Sequence, residues 1–180
     1  EVIEIEKDIN GKWISYHDNS SVYSEGNLKG TNFHGEWIYY SRENKSVTRK
    51  ISWVHGNKIR ETTFNSRGLP SLICNYNPGF KTYSVMEMNI KFMTLMEQYH
   101  PNGRKQLMSL FENGKSKSSS SYDNLGSLKK QIKYKNGEIE WEIERVYDND
   151  GSFVQTHRDY IKDTIRYSKW DKEGRFIRTL

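Results

Sequence analysis

The chain has 180 residues, a formal net charge of +5 and 34% apolar residues. That length suits one domain or one repeat array, and no apolar run approaches membrane-spanning length. The lone cysteine, Cys74, excludes an intrachain disulfide and a cysteine metal cluster.

A single free thiol fits a reducing compartment, so a cytoplasmic location is expected. The chain does not begin with Met, which leaves a removed signal peptide open. Alanine is absent, whereas Tyr, Ile, Ser, Asn and Lys are plentiful. Losing the best helix former while keeping aromatic and β-branched residues points to sheet.

Taken in order, Val2, Ile3, Ile5 and Ile9 alternate with Glu4, Glu6 and Asp8. This predicts a first strand closing on Asn10-Gly11, with residues 12–17 as its return. Residues 20–30 predict a strand and a glycine-rich turn, and residues 35–40 an aromatic strand. Residues 45–55 and 58–64 predict a hairpin about Gly56-Asn57. Between 69 and 98 the rhythm breaks, with Leu69-Pro70, Asn77-Pro78-Gly79 and Met86, Met88, Met93 and Met96. An insertion is expected there: a long loop near 75–80, then a pair of apolar strands. A helix over 85–98 is the alternative. The methionines read as core fillers.

Residues 115–121, KSKSSSS, have linker composition yet fall where a strand belongs. They read as a solvated, weakly paired edge or loop. Residues 129–147, KKQIKYKNGEIEWEIERVY, predict a hairpin on Asn136-Gly137, a pair suited to a type I′ turn. A straight register sets Lys135 opposite Glu138, Lys133 opposite Glu140, Gln131 opposite Glu142 and Lys129 opposite Glu144. The other face would pair Tyr134 with Ile139, Ile132 with Trp141 and Lys130 with Ile143. Strict alternation split by Asn-Gly disfavours the competing amphipathic helix.

The same punctuation recurs. An aromatic residue stands four positions before a turn residue at 16, 40, 64, 99, 122, 147 and 170. The steps are 24, 24, 35, 23, 25 and 23 residues. A second turn falls midway at Gly26-Asn27, Gly56-Asn57, Asn113-Gly114 and Asn136-Gly137. Each period is thus two strands and two turns, as in a repeat architecture. The expected fold is all-β, an antiparallel meander of consecutive hairpins in one domain over 1–180. Its parts are N-terminal repeats (1–68), an insertion (69–98) with a short helix or long loop, and C-terminal repeats (99–180).

Ser24-Glu25-Gly26-Asn27, His34-Gly35-Glu36-Trp37, Tyr39-Tyr40-Ser41-Arg42-Glu43-Asn44 and residues 99–107 resemble the variant MORN repeat, and most closely the YwqK-type bacterial antitoxins. The resemblance is specific in one unit, residues 24–68, and rests elsewhere on period and turns. It implies an extended sheet of hairpins that binds and neutralises a cognate toxin, often a nuclease. The Tyr-Asp-x-x-Gly turns also resemble the YD repeats of much longer toxin-shell proteins. The chain departs from the MORN pattern in having few glycines and in its insertion.

Candidate chemistry is sparse. His17, His34, His55, His100 and His157 show no metal-ligand spacing and read as turn or strand-end residues. Glu138, Glu140, Glu142 and Glu144 would face lysines on a solvated sheet surface, which gives no unlike environments for acid–base work. No catalytic residue, metal ligand or cofactor is assigned, and no enzymatic activity is expected.

For partner binding the candidates are Trp13, Trp37, Tyr39 and Trp53, since Trp and Tyr are favoured interface anchors. Core packing is the alternative for each. The acidic set Glu138, Glu140, Glu142 and Glu144 is the candidate patch for a basic toxin. Arg158, Lys162, Arg166, Lys169, Lys172, Arg175 and Arg178 interleave with Tyr160, Tyr167, Trp170 and Phe176. They offer a second reading, a nucleic-acid- or anionic-membrane-binding face. Against it, Asp159, Asp163, Asp171 and Glu173 offset the charge.

Overall fold

The computed structural model describes residues 10–79 and 90–180. They form fourteen strands in one sheet whose spatial order is the sequence order. These are β1 (Gly11–Tyr16), β2 (Val22–Lys29), β3 (Asn32–Tyr40), β4 (Val47–Val54), β5 (Asn57–Phe64), β6 (Pro70–Tyr76) and β7 (Met93–Tyr99). Then come β8 (Lys105–Glu112), β9 (Lys115–Tyr122), β10 (Leu128–Lys135), β11 (Glu138–Tyr147), β12 (Phe153–Asp159), β13 (Thr164–Trp170) and β14 (Phe176–Thr179). Every neighbouring pair is antiparallel. The expected all-β meander of hairpins is therefore the fold.

Two kinds of turn alternate along the two edges of the sheet. The first follows each repeat aromatic. Its backbone closes in the same way in successive units: Asn65 N to Leu69 O, His100 N to Arg104 O, Asp123 N to Ser127 O, Asp148 N to Ser152 O and Asp171 N to Arg175 O. Gly68, Gly103, Gly126, Gly151 and Gly174 occupy one position of this turn at positive φ, where glycine has no Cβ to clash. Asp123 and Asp171 add side-chain acceptance from the backbone N–H groups of Ser127 and Arg175. Successive turns are tied together. Asn19 donates to Arg42 O, Asn65 to Pro101 O and Asn102 to Asn124 O, while a ring nitrogen of His17 meets Tyr40 O and one of His100 meets Tyr122 O.

The second kind is short. Both central residues have positive φ at His55-Gly56, Asn113-Gly114 and Asn136-Gly137, the mark of a type I′ hairpin. Two expected turns move. The first short turn lies between Lys29 and Asn32, with Gly30 at positive φ, and Gly26-Asn27 lies inside β2. The turn expected at Gly56-Asn57 is centred one residue earlier. Gly26 serves packing instead: a Cβ there would fall inside the Trp37 ring, whose Nε1 donates to Asn27 O.

Bulges are part of the period. After most aromatic-edge turns the return strand carries one extra residue, as at Thr48, Ser71, Gln106, Lys129 and Ile177. The short-turn hairpins add another, at Ile59, Lys117 and Glu140. A bulge shifts all later pairing by one residue. The expected straight register of the Asn136-Gly137 hairpin therefore holds only for Lys135 with Glu138 and Tyr134 with Ile139. Beyond Glu140 the pairs are Lys133 with Trp141, Ile132 with Glu142, Gln131 with Ile143 and Lys130 with Glu144.

Paired residues share a face of the sheet. One row on the front face runs Trp37, Ile51, Glu61, Cys74, Met96, Ser109, Ser119, Ile132, Glu142, Arg158, Ile165. Alternation along each strand then puts all seven repeat aromatics on the back face. Two buried core clusters lie on the front of β2–β7. One cluster joins Leu28, Trp37, Tyr39, Ile51 and Trp53, with Trp13 and Phe33 against it. A second joins Cys74, Tyr76 and Met93, with Met96 and Phe111 beside it. Met93 and Met96 thus do fill core; Met86 and Met88 lie outside the described residues, as does the strand expected over residues 2–9.

The insertion is narrower than expected. β6 and β7 continue the meander across it, and residues 93–99 are strand, not helix. The parts of the expected loop, strands or 85–98 helix that fall on residues 80–89 lie outside the described residues. KSKSSSS is neither edge nor loop. It is the interior strand β9, hydrogen-bonded to β8 and β10, and Ser120 is only 3% exposed. Small hydroxyl side chains fit a crowded sheet interior, where Ser109 and Ser119 hydroxyls meet at 3.3 Å.

Candidate protein-binding surface

The structure gathers the four candidate aromatics, burying Trp37, Tyr39 and Trp53 and half-burying Trp13. Trp13, Trp37, Tyr39 and Trp53 all face front, with Trp37, Tyr39 and Trp53 at 3%, 5% and 1% exposure. They pack with Phe33, whose ring meets Trp37 edge-on at 4.6 Å and Trp53 at 4.9 Å. Beside them sits a buried charge cluster. Lys58, fully buried, pairs with Glu61 at 2.6 Å, and Arg49 reaches Glu61 at 3.3 Å. Cys74 is likewise buried, and burial raises its thiol pKa. A high pKa leaves little thiolate, the nucleophilic form.

The acidic set is divided by the bulge at Glu140. Glu138 pairs with Lys135 on the back. Glu140 stays on that side, bound to Lys133 at 3.1 Å. Glu142 and Glu144 turn to the front. Glu142, 8% exposed, holds Lys130 at 2.9 Å and Arg158 at 3.0 Å. The hydrogen bond from Lys130 drives the Glu142 pKa down and the Lys130 pKa up. The four glutamates therefore do not form one patch.

The front of β11–β13 carries a grid that the sequence reading did not isolate. Its rows are Glu142, Arg158, Ile165; Glu144, Thr156, Tyr167; and Val146, Val154, Lys169. Val146 is 65% exposed, Ile165 48% and Tyr167 45%. Tyr160 and Ile161, in the β12–β13 turn, are exposed beside it. Arg158 places its guanidinium near Tyr160, 5.9 Å from the ring centroid. The signal was present in the sequence as alternation within Val154–Arg158 and Ile165–Lys169. Reading it required the bulge-corrected register, because a one-residue slip exchanges the faces.

The C-terminal basic residues do not make one surface. Arg158, Lys169 and Arg178 face front, and Arg166 faces back. Most are neutralised nearby: Arg158 by Glu142, Lys162 by Asp159, Lys169 by Asp148, Lys172 by Glu173, and Arg175 by Asp171 and Glu173. Trp170 and Phe176 lie on the back, where Trp170 stacks on Phe153 at 6.1 Å.

Grooves are shallow. One lies between two short turns, lined by Glu112, Lys115, Lys117, Tyr134 and Lys135. No group of three or more His, Cys, Asp or Glu among the described residues is arranged to hold a metal ion. No helix among the described residues is long and apolar enough to cross a membrane.

No family model and no curated protein matches the chain. Among solved structures, one similar chain comes from a structure described as accessory secretory protein 1,2 and 3 in Streptococcus pneumoniae. The TM-score is 0.30 with 13% identity, over 69% of this chain and 19% of that one. The chain thus spans about a fifth of that neighbour's length.

Proposed function

We propose that the protein is a non-enzymatic binding module that engages another protein through the front of β11–β13, and that this partner is a toxin it neutralises. The first half of the proposal is carried by the exposed grid of Val146, Ile165 and Tyr167, bordered by the Glu142–Arg158 ion pair. Clustered apolar residues on a regular surface mark interaction sites, and Tyr and Arg are favoured at the centres of protein interfaces. The second half rests on the likeness of residues 24–68 to the YwqK-type antitoxins. The anionic-surface reading is less well supported, because the basic residues are split between two faces and mostly paired with carboxylates.

The test is co-expression and co-purification with the product of the adjacent gene. A stoichiometric complex, with growth restored, is expected. A Tyr167→Ala, Ile165→Asp double variant should keep its fold and lose the complex. If the neighbour is not toxic, or if rescue survives the double variant, this reading fails. Binding to RNA or anionic vesicles with a steep salt dependence would instead favour the anionic reading.

A further inference from the structure

Two short turns on the same edge of the sheet interlock near the N-terminal core. The β2–β3 turn brings in Asn32, Phe33 and His34, and the β4–β5 turn brings in His55, Gly56 and Asn57. Gly56 N donates to Phe33 O at 3.0 Å. A Cβ on Gly56 would meet Asn32 Oδ1 at 2.6 Å, so the turns are in direct contact. This contact brings the His34 and His55 rings together, 5.4 Å between centroids and tilted by 40°.

Two polar atoms here are enclosed without a hydrogen-bond partner: His34 Nδ1 and Asn57 Oδ1. Asn57 pairs with Val54, next in line to the Gly35–Trp53 pair, so Asn57 and His34 flank Val54 on the back face. Its Nδ2 is already used, donating to Val54 O at 3.1 Å and to His55 O at 3.4 Å. The carbonyl end is therefore the free end. Unpaired buried acceptors are rare in native proteins, and a bound ion is one thing that resolves them.

We infer that His34, His55 and Asn57 form a binding site for a divalent transition-metal ion of the Zn2+, Ni2+ or Cu2+ class. Imidazole nitrogen suits these ions, and an amide oxygen is an acceptable third donor. Two imidazoles that share one tetrahedral ion, with Zn–N of about 2.0–2.1 Å, stand with their centres about 5 Å apart. The observed separation matches. His55 is exposed, which gives the ion an entry path from solvent and leaves its remaining positions to water. Sequence spacing hid the site, because its two histidines are 21 residues apart and meet only through the stacking of two hairpins. An ion here would lock neighbouring repeats together at the edge beside the core cluster.

The test is isothermal titration of the full chain with Zn2+, Ni2+ and Cu2+, and with Mg2+ as a control, together with thermal melts. One saturable equivalent of Zn2+ and a raised melting temperature are expected, with no response to Mg2+. The variants are His34→Gln, His55→Asn and Asn57→Ala. Asn tolerates positive φ, so His55→Asn preserves the turn. Each His variant should lose saturable binding while retaining the metal-free melting temperature of its parent within a few degrees. Asn57→Ala should bind about 10-fold more weakly. A His157→Gln control should bind normally. Absence of a saturable equivalent, or its survival in either His variant, overturns the site. An unchanged affinity in Asn57→Ala overturns the three-donor assignment.

Discussion

The front row from Trp37 to Ile165 crosses two regions that use the same backbone differently. At its start, Ile51 and Cys74 are 0% exposed and Trp37 is 3% exposed. At its end, Ile165 is 48% exposed. In β2–β7 the front face holds a core of packed aromatic rings and a buried Lys58–Glu61 pair. In β11–β13 the same face holds charges, hydroxyls and exposed apolar side chains. The hairpin and turn grammar is common to both regions. Backbone hydrogen bonding therefore sets the architecture, while side-chain choice on one face decides where the sheet buries that face and where it leaves it exposed.

The largest expected effect tests that division. Trp53→Ala should cost about 3–5 kcal/mol, as for a large buried aromatic, read as a lowered urea midpoint. Tyr167→Ala should stay within about 0.5 kcal/mol of the parent. Equal losses at the two positions would erase the distinction between the regions.

Gly26→Ala comes next. The new Cβ would collide with the Trp37 ring, whose burial and hydrogen bond to Asn27 O leave it nowhere close to go. A loss of about 3 kcal/mol is expected, at the upper end for overpacking. Near-ultraviolet circular dichroism should change with it, because the tryptophan environment must shift. Gly137→Ala touches nothing within 4 Å, and its cost is confined to the positive φ of the turn.

These two glycines show what was legible in the sequence. Asn136-Gly137 announced its turn, because a type I′ hairpin needs left-handed residues and the pair is strongly biased to supply them. Gly26-Asn27 looked the same and is strand. There glycine answers a tertiary demand, room for an indole ring eleven residues away, and no local pattern encodes that. The meander itself was legible because turns recur at a fixed period. Register was not, since a bulge adds one residue without any diagnostic side chain: Glu140 reads as the next step of an alternating ladder.

The KSKSSSS strand was misleading for a related reason. Its composition describes a solvated chain, but hydrogen bonds on both sides fix β9 in the sheet interior. The aromatics Trp37, Tyr39 and Trp53 stand out in the sequence, but only their packing against Leu28, Ile51 and Phe33 marks them as core.

Glu142→Gln probes the charged region at a smaller scale. The carboxylate is 8% exposed and accepts from two cations. Losing charge-assisted hydrogen bonds of this kind costs about 2 kcal/mol. The pH dependence follows from its lowered folded pKa. Its contribution is fully present above the unfolded carboxylate value, about 4.3, and disappears as pH falls through the folded value. The stability difference between parent and Glu142→Gln should thus be level from pH 8 to 5 and shrink below about pH 4. A difference that grows in acid would contradict the assignment.

The smallest effect separates the two registers of the Asn136-Gly137 hairpin. In the bulged register Lys133 meets Glu140 at 3.1 Å, with the lysine about half exposed. An exposed pair of this kind couples by about 0.2–1 kcal/mol. A straight register would also set Lys129 opposite Glu144, but the bulge places Lys130 there instead, so Lys129 and Glu144 are not partners. Two double-mutant cycles distinguish these. Lys133→Glu with Glu140→Lys should recover part of the stability that each single change loses. Lys129→Glu with Glu144→Lys should be additive within error. Moderate salt should weaken the first coupling, because the pair is partly solvated. Coupling at Lys129–Glu144 would restore the straight ladder, return Glu142 to the solvated face and dissolve the β11–β13 grid. The weakest interaction in the hairpin therefore reports on the placement of its most consequential surface.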